Sequence, residues 1–148
     1  MILITPATQN DIEELCDLLA LLFGAEEEFH PDRELQRRGL QLIISDQKRG
    51  EILVARRDKK VIGMVNILYT VSTALGCQVA ILEDMIVLPE ERNQHVGSLL
   101  LEQAVCTAKG QQCKRITLLT DNNNYGAHRF YERHGFQQSS MCAFRNIL

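Results

Sequence analysis

The sequence has no apolar run long enough to cross a lipid bilayer, so no membrane partner is predicted. Residues 1–11 lack a basic region ahead of their short apolar patch, which argues against a secretory signal. Basic residues are not in excess, and the net charge is −3. A nucleic-acid partner is therefore not expected, because proteins that bind nucleic acids present a basic face.

Residue patterns typical of metal sites or disulfide frameworks are also missing. The five cysteines have no Cys-x-x-Cys spacing and the four histidines show no ligand spacing, so no metal site is predicted. Scattered cysteines fit reduced thiols, which favours a cytoplasmic protein. No repeat, low-complexity segment or linker divides the chain, and its hydrophobic fraction is 45%. Residues 1–148 are therefore expected to form a single domain.

Apolar spacing predicts a mixed α/β protein with the order β-α-α-β-β-β-α-β-α-β. The strand-like runs are 1–5, 51–56, 61–70, 78–88, 114–119, and a closing strand or hairpin over 136–138 and 141–145. The runs with helical spacing are 12–22, a weaker segment from Pro31, 96–109 and 124–134. Because a strand–helix–strand crossover in one sheet is right-handed, the strands 78–88 and 114–119 are expected to be parallel neighbours.

The stretch Ile81–Leu101 organises the chain. Its apolar strand contains two carboxylates, Glu83 and Asp84, and Pro89 ends it because proline has no N–H for the ladder. A short polar loop then leads into a helix from Val96, whose unpaired N–H groups make a natural anion site. The stretch lacks the three glycines of a dinucleotide fingerprint and the Gly-Lys-Ser/Thr of a P-loop.

Two motifs in the chain resemble those of one family. Arg92-Asn93-Gln94-His95-Val96-Gly97 resembles the acetyl-CoA motif of the GNAT superfamily of N-acetyltransferases, Gln/Arg-x-x-Gly-x-Gly/Ala, with His95 at the first glycine. The segment 124–136 resembles the second GNAT signature, Asn-x-x-Ala-x-x-Phe-Tyr-x-x-x-Gly-Phe, at every key position. Two motifs in this order are much more specific than either alone.

The resemblance implies a GNAT-type fold, a mixed and mostly antiparallel central sheet with a parallel βαβ pair and helices on both faces. It also implies acetyl-CoA as co-substrate, with its pantetheine arm in a gap where the fourth strand splays from the fifth. Backbone groups of Met85 and Val87 would bond that arm, and N–H groups of the following loop and helix start would hold the pyrophosphate. The predicted cofactor-binding residues are Met85, Ile86, Val87, Arg92, Asn93, Gln94, His95, Val96, Gly97, Ser98, Asn124, Ala127 and Tyr131.

The same resemblance assigns a general acid, whereas the base stays open. Tyr131 matches the family position whose hydroxyl protonates the departing CoA thiolate. An attacking amine with a pKa of about 10.4 must first lose a proton. Glu83 is the first candidate base and Asp84 the second, with simple pairing to a cation as the alternative role for either. Strand alternation puts these two on opposite faces unless a bulge intervenes.

The expected activity is transfer of the acetyl group of acetyl-CoA to a primary amine of a small molecule. Two alternatives stay open: a protein or peptide N-acetyltransferase, and a non-catalytic acyl-CoA-binding module of the same fold. The acidic run Glu26-Glu27-Glu28 falls where family members often line the acceptor pocket, although a solvated face is the simpler interpretation. Family members are often dimers, so the resemblance also admits a homodimer. The sequence does not identify the acceptor.

Overall fold

A computed structural model describes the whole chain, Met1–Leu148, as a five-stranded sheet with four helices. The strands are β1 (Leu3–Pro6), β2 (Gly50–Arg57), β3 (Lys60–Ser72), β4 (Cys77–Val87) and β5 (Ile116–Leu118). They lie side by side in chain order. The first three neighbouring pairs are antiparallel, and β4 and β5 are parallel, which confirms the predicted βαβ unit.

The helices are α1 (Ile12–Ala25), α2 (Arg33–Ile44), α3 (Val96–Gly110) and α4 (Tyr125–Arg133), with short 3₁₀ turns at Gln9–Asp11 and Pro89–Glu91. The weakly predicted α2 is capped by Asp32, whose side chain accepts a hydrogen bond from the Leu35 N–H at 3.2 Å. Such a cap is worth about 1 kcal/mol, which offsets the helix-weakening Gly39. No helix is both long and apolar enough to cross a membrane.

Two apolar clusters lie on opposite faces of the sheet. On one face Leu100 of α3 packs in a cluster with Val65, and on the other Leu15 of α1 packs in a cluster with Met64. Val65 and Met64 are neighbours in β3, and they separate because adjacent strand side chains point to opposite faces. All four side chains are fully buried, and burial of each contributes about 2 kcal/mol. Helices therefore cover both faces of the sheet.

A buried ion pair ties the turn before α1 to the sheet. Asp11 is 5% exposed, and its Oδ2 accepts hydrogen bonds from the Arg56 guanidinium of β2 and from the Thr8 N–H, both at 2.8 Å. Burial alone would raise the pKa of Asp11, but the hydrogen bonds from Arg56 and Thr8 lower it overall. The carboxylate thus orients the entry of α1 onto β2.

The predicted closing strand or hairpin is wrong, because residues 134–148 form no strand. The neighbouring edge strand β5 is only three residues long, so it offers little ladder to pair with. Several apolar side chains of this segment are exposed: Met141, Phe144, Ile147 and Leu148. Arg145 instead bonds to Glu28 at 2.6 Å, and its guanidinium lies 5.5 Å from the ring centroid of Phe29. The C-terminal segment is therefore held against the loop between α1 and α2.

Candidate active site

β4 carries one extra residue opposite β3, at the position of the two predicted carboxylates. The register pairs Val65 with Met85 and Ile67 with Leu82, so two steps along β3 correspond to three along β4. The additional residue falls within the Glu-Asp pair that separates Leu82 from Met85. This is a β-bulge, which locally breaks the alternation of side chains.

The bulge puts both carboxylates on one face of the sheet. Before it, Leu82 packs in the cluster under α3, so the next residue, Glu83, points to the opposite face. After it, Ile86 packs in the cluster under α1 and α2, so Asp84, two residues earlier, points to that face as well. The opposite-face arrangement expected of a regular strand does not occur, because the bulge intervenes.

Asp84 and Glu83 differ in their surroundings. Asp84 is half-buried, and its Oδ2 accepts a hydrogen bond from Asn66 Nδ2 of β3 at 3.1 Å. Burial raises the pKa of Asp84 to about 6; the hydrogen bond from Asn66 lowers the pKa and the negative charge of Glu83 raises it. Glu83 itself is exposed. A carboxylate with a pKa near 6 is ionised at neutral pH and is still basic enough to take a proton from an amine.

A gap opens between β4 and β5 next to the bulge. Pairing joins Ala80–Leu82 to Ile116–Leu118 and then ends, whereas β4 continues through residues 83–87. That part of β4 has no strand partner on its β5 side. This unpaired edge of β4 is where the resemblance places the pantetheine arm; because β5 ends at Leu118, the splay of the two strands stays a prediction.

Backbone alternation decides which groups of β4 face this gap. The Leu88 N–H donates to the Ile62 carbonyl at 2.9 Å, so the backbone of Leu88 is directed at β3. Because antiparallel ladders alternate, Ile86 is also directed at β3, and Met85 and Val87 face the gap. The Ile86 side chain is 7% exposed in the cluster under α1. The predicted contact between Ile86 and a cofactor is therefore not supported by its position.

The loop after β4 folds back on the strand through Arg92. Its Nε donates a hydrogen bond to the Val87 carbonyl at 3.1 Å, so the side chain fixes the loop against the gap. Asn93 and His95 both have positive φ, 61° and 63°. Glycine adopts such a conformation without strain, which explains why the family motif has glycine where this chain has His95.

Six consecutive backbone N–H groups, from Asn93 to Ser98, have no hydrogen-bond acceptor in the protein. No side chain caps the start of α3. Positive φ at alternate residues arranges such N–H groups into an anion-binding concavity, and the helix dipole adds positive potential. Val96 contributes only its backbone, since its side chain is buried. A Cβ on Gly97 would lie 3.4 Å from the Phe130 ring, an ordinary van der Waals contact, so the structure has room for the alanine that the family motif also allows.

α4 and its N-cap carry three further predicted positions, Asn124, Ala127 and Tyr131. Asn124 Oδ1 accepts the Ala127 N–H at 3.2 Å and so caps the helix; any contact of these residues with a cofactor stays a prediction. The Tyr131 hydroxyl donates only to Met85 Sδ, at 3.7 Å, directly beside the gap. Thioether sulfur is a weak acceptor, so the hydroxyl proton is not committed to a strong partner. Burial raises the pKa of Tyr131, which keeps it protonated at neutral pH.

The three glutamates after α1 differ in how far the fold buries them. Glu27 and Glu28 are exposed, as a solvated face predicts, but Glu26 is half-buried. Burial raises the pKa of Glu26 to about 6, with further contributions from the charges of Asp84, Asp121 and others. Asn123 Nδ2 donates a hydrogen bond to Glu27 Oε1 at 3.4 Å, so the loop after α1 and the turn after β5 lie side by side.

Sequence reasoning missed Asn66, and it placed the turn 120–124 near the site without singling out Asp121. Asn66 lies in an apolar strand, and it becomes notable only because β3 pairs with the bulge of β4. Asp121 stands in a polar turn after β5, and a turn of this kind is usually just solvated. No local pattern could have brought Asn66 to Asp84, because the two residues lie on different strands.

A sequence model of the acetyltransferase (GNAT) family matches residues 12–136. The chain belongs to the GNAT family. The matched range contains the bulge of β4, the gap, the start of α3 and all of α4. Both motifs noted in the sequence thus lie inside the GNAT match.

Curated relatives of this GNAT protein include N-acetyltransferases. The chain is 30% identical over 89 residues to an uncharacterised N-acetyltransferase, YhfO, of Bacillus subtilis, which covers 60% of each protein. It is 31% identical over 86 residues to the aminoalkylphosphonate N-acetyltransferase of Salmonella typhimurium, covering 58% of this chain and 56% of the relative. The chain thus spans little more than half the length of these relatives.

Solved structures establish the fold. An aminoglycoside N-acetyltransferase in complex with CoA matches with a TM-score of 0.85 at 17% identity, covering 99% of this chain and 95% of the other. The predicted GNAT fold is confirmed: a mixed, mostly antiparallel sheet with one parallel pair and helices on both faces.

Proposed function

We propose that this GNAT protein transfers the acetyl group of acetyl-CoA to a primary amine of a small molecule. The observation that carries the proposal is the run of unpartnered N–H groups from Asn93 to Ser98, directly beside the gap between β4 and β5. An anion site joined to a free strand edge suits a ligand with a pyrophosphate and an extended amide-bearing arm.

The residues present fit acetyl-CoA. The N–H groups of the loop and of the α3 start would hold the pyrophosphate, and the outward backbone of Met85 and Val87 would bond the pantetheine amides. The Val87 carbonyl already accepts Arg92 Nε, and its second lone pair remains for a ligand. Acetyl-CoA, when bound, supplies a thioester whose carbonyl carbon is open to attack and whose thiol leaves.

Asp84 is proposed as the base, with Glu83 as the alternative. The half-buried Asp84 has the raised pKa that suits proton removal near neutral pH, whereas Glu83 is exposed. This order reverses the expectation from sequence. Asp84 takes a proton from the ammonium, directly or through water, and leaves the amine lone pair free to attack the acetyl carbon.

Tyr131 is proposed as the acid. Its hydroxyl lies at the gap with only a thioether as partner, so its proton can pass to the departing thiolate sulfur. As the C–N bond forms and the C–S bond breaks, the amine loses one proton and the sulfur gains one. Nitrogen thus loses two protons in all: the one taken by Asp84 passes to solvent, and the second replaces, through solvent, the one that Tyr131 gives to sulfur, so the net products are amide, thiol and one released proton.

A thiol-release assay tests the proposal. The purified protein is mixed with acetyl-CoA and a panel of amines: polyamines, aminoglycosides, amino acids, aminoalkylphosphonates and peptides. At least one small amine is expected to release CoA thiol at a rate that falls about 100-fold or more in Asp84→Asn. Glu83→Gln serves as the matched control and is expected to stay near wild type.

Other outcomes separate the alternatives. Calorimetry showing no acetyl-CoA binding refutes the proposal. Binding without transfer to any amine indicates an acyl-CoA-binding module, and transfer to peptides alone indicates a protein or peptide acetyltransferase.

A further inference from the structure

The loop that carries the six unpartnered N–H groups has an unfavourable backbone conformation. Asn93 and His95 both have a positive φ, which is strained for a residue with a side chain, and both are exposed. A strained backbone persists only where its surroundings fix it. Contacts from other elements of the fold must therefore hold this loop in shape.

Arg57, at the end of β2, supplies such contacts. Its Nε donates a hydrogen bond to Glu91 Oε2 at 3.1 Å, and its Nη2 donates one to Gln94 Oε1 at 3.2 Å. Gln94 Nε2 in turn donates to the Glu90 carbonyl at 3.1 Å. One planar guanidinium thus joins the 3₁₀ turn after β4 to the residue that precedes His95.

The alternation of side chains along β2 explains why Arg57 reaches the loop. Ala55 packs in the cluster under α3, so Arg57, two residues later, lies on the same face. Arg56, between them, points to the opposite face, where it bonds to Asp11. The side chains of Arg57 and Glu91 are only 32% and 18% exposed, so solvent ions screen this pair less than a surface pair.

We propose that Arg57 is a positioning residue: by holding Glu91 and Gln94, it keeps the N–H groups of residues 93–98 arranged for the pyrophosphate before acetyl-CoA binds. The inference rests on the proposed function and adds a residue that acts through the loop, without touching the reacting atoms. A loop that is already ordered loses less conformational freedom on binding, so the affinity for the cofactor is higher.

One substitution separates positioning from charge attraction by the sign of its effect. Glu91→Ala removes a negative charge near the proposed anion site, so charge alone predicts tighter binding of CoA. Positioning predicts weaker binding, on the order of tenfold, because the loop loses its link to Arg57. Arg57→Ala should weaken CoA binding to a similar extent. The double variant should bind no more weakly than Arg57→Ala, because both substitutions remove the same link. Calorimetry measures all three affinities.

Two further variants control for the positive charge of Arg57. Arg57→Lys keeps the charge but lacks the planar fork that bonds Glu91 and Gln94 together, so it should not restore the affinity. Lys60→Ala removes a positive charge from the same hairpin. Its partner Glu90 lies 4.0 Å away and both side chains are exposed, so CoA affinity should stay within about twofold of wild type.

Turnover provides a readout that a merely structural role would not change. With the most reactive amine, Arg57→Ala should raise the KM for acetyl-CoA on the order of tenfold and leave kcat near wild type, since Asp84 and Tyr131 are untouched. With S-acetylpantetheine, a thioester donor that lacks the pyrophosphate, wild type and variant should react equally fast. A structural role alone would lower the free energy of unfolding, measured in urea, without this difference between the two donors.

Failure of the inference is distinguishable from failure of the proposed function. A wild-type protein that binds no CoA refutes both. Normal CoA binding by folded Arg57→Ala, or tighter binding by Glu91→Ala, overturns the positioning role and leaves the proposed acetyltransferase intact. An equal loss of rate with S-acetylpantetheine overturns the role as well. Weaker CoA binding in both variants, with Lys60→Ala unchanged, supports it even where no amine is acetylated.

Discussion

At the residue scale, the environment of one hydroxyl separates a catalytic role from a structural one. The Tyr131 hydroxyl meets no carbonyl or carboxylate, only the Met85 sulfur at 3.7 Å. A tyrosine held for stability would be expected to bond a strong acceptor. The weak partner leaves the proton available for transfer.

Tyr131→Phe should therefore affect chemistry rather than binding. The substitution keeps the ring and its packing, so acetyl-CoA affinity should stay nearly constant while kcat falls at least tenfold. Single-turnover kinetics on the folded variant measures this. Tyr125→Phe, in the exposed first turn of the same helix, is the control. An unchanged transfer rate in Tyr131→Phe would rule out the acid assignment.

Asp84, the proposed base, should lower the stability of the protein when it is ionised. Its folded pKa of about 6 lies above the ordinary 3.8, so its contribution to stability is present in acid and is lost as pH rises from about 4 to 6. Asp84→Asn should raise the free energy of unfolding at pH 8 by up to about 3 kcal/mol and change it little at pH 4. Urea denaturation at both pH values measures this; equal gains at both would contradict the burial argument.

At the element scale, the start of α3 depends on the conformation of a single loop. His95 holds a φ of 63°, where a side chain is strained and glycine is not. The proposed anion site is built from the backbone of this loop, so we expect that the imidazole is not needed for it.

His95→Gly should consequently keep acetyl-CoA binding within a few fold of wild type. The free energy of unfolding should change by no more than about 1 kcal/mol, because relief of strain is offset by a more flexible unfolded chain. Calorimetry and urea denaturation measure the two quantities. Asn93→Gly, at the other positive-φ position of the loop, is the comparison. A large loss of affinity in His95→Gly alone would show that the imidazole itself contacts the ligand.

The turn before α1 offers a second test at this scale. Asp11→Ala leaves the half-buried Arg56 guanidinium without its carboxylate partner, and it leaves the Thr8 N–H without an acceptor. The free energy of unfolding should therefore fall by about 2 kcal/mol. Glu34→Ala, which breaks an exposed pair on α2, should have almost no effect. Similar losses in the two variants would show that burial of the Asp11 pair is unimportant.

At the scale of the whole molecule, two sites of opposite potential share β4. The N–H groups beyond its C-terminal end attract anions, and the carboxylates of its bulge attract cations. A modest net charge of −3 hides this separation, because the charges are distributed between sites rather than evenly.

Salt should therefore weaken the binding of a positively charged amine acceptor. The KM for the most reactive amine of the thiol-release panel should rise severalfold between low and high ionic strength, because the screening length shortens to about 3 Å at 1 M. Glu26→Gln should reduce this dependence. Glu27→Gln should not, because Glu27 is exposed and its Oε1 bonds to Asn123. A KM independent of salt would rule out attraction of the amine by Glu26 and the carboxylates of the bulge.

The sequence by itself determined the local features of the protein. Helical and strand spacing, Pro89 after the central strand and the two GNAT motifs are properties of neighbouring residues, and they predicted the element order up to α4. The motif position of Tyr131 also follows from spacing along one helix. Such features are readable because hydrogen bonds within a helix or turn join residues close in the chain.

Only the tertiary structure decided the surroundings of Asp84, Asn66 and Glu26. The bulge is a mismatch between two strands, so neither strand records it alone. The raised pKa values of Asp84 and Glu26 arise from burial and from charges brought together across the sheet. The prediction of a closing strand was wrong for the same reason. An alternating segment becomes a strand only where a long enough sheet edge accepts its hydrogen bonds, and β5 is three residues long.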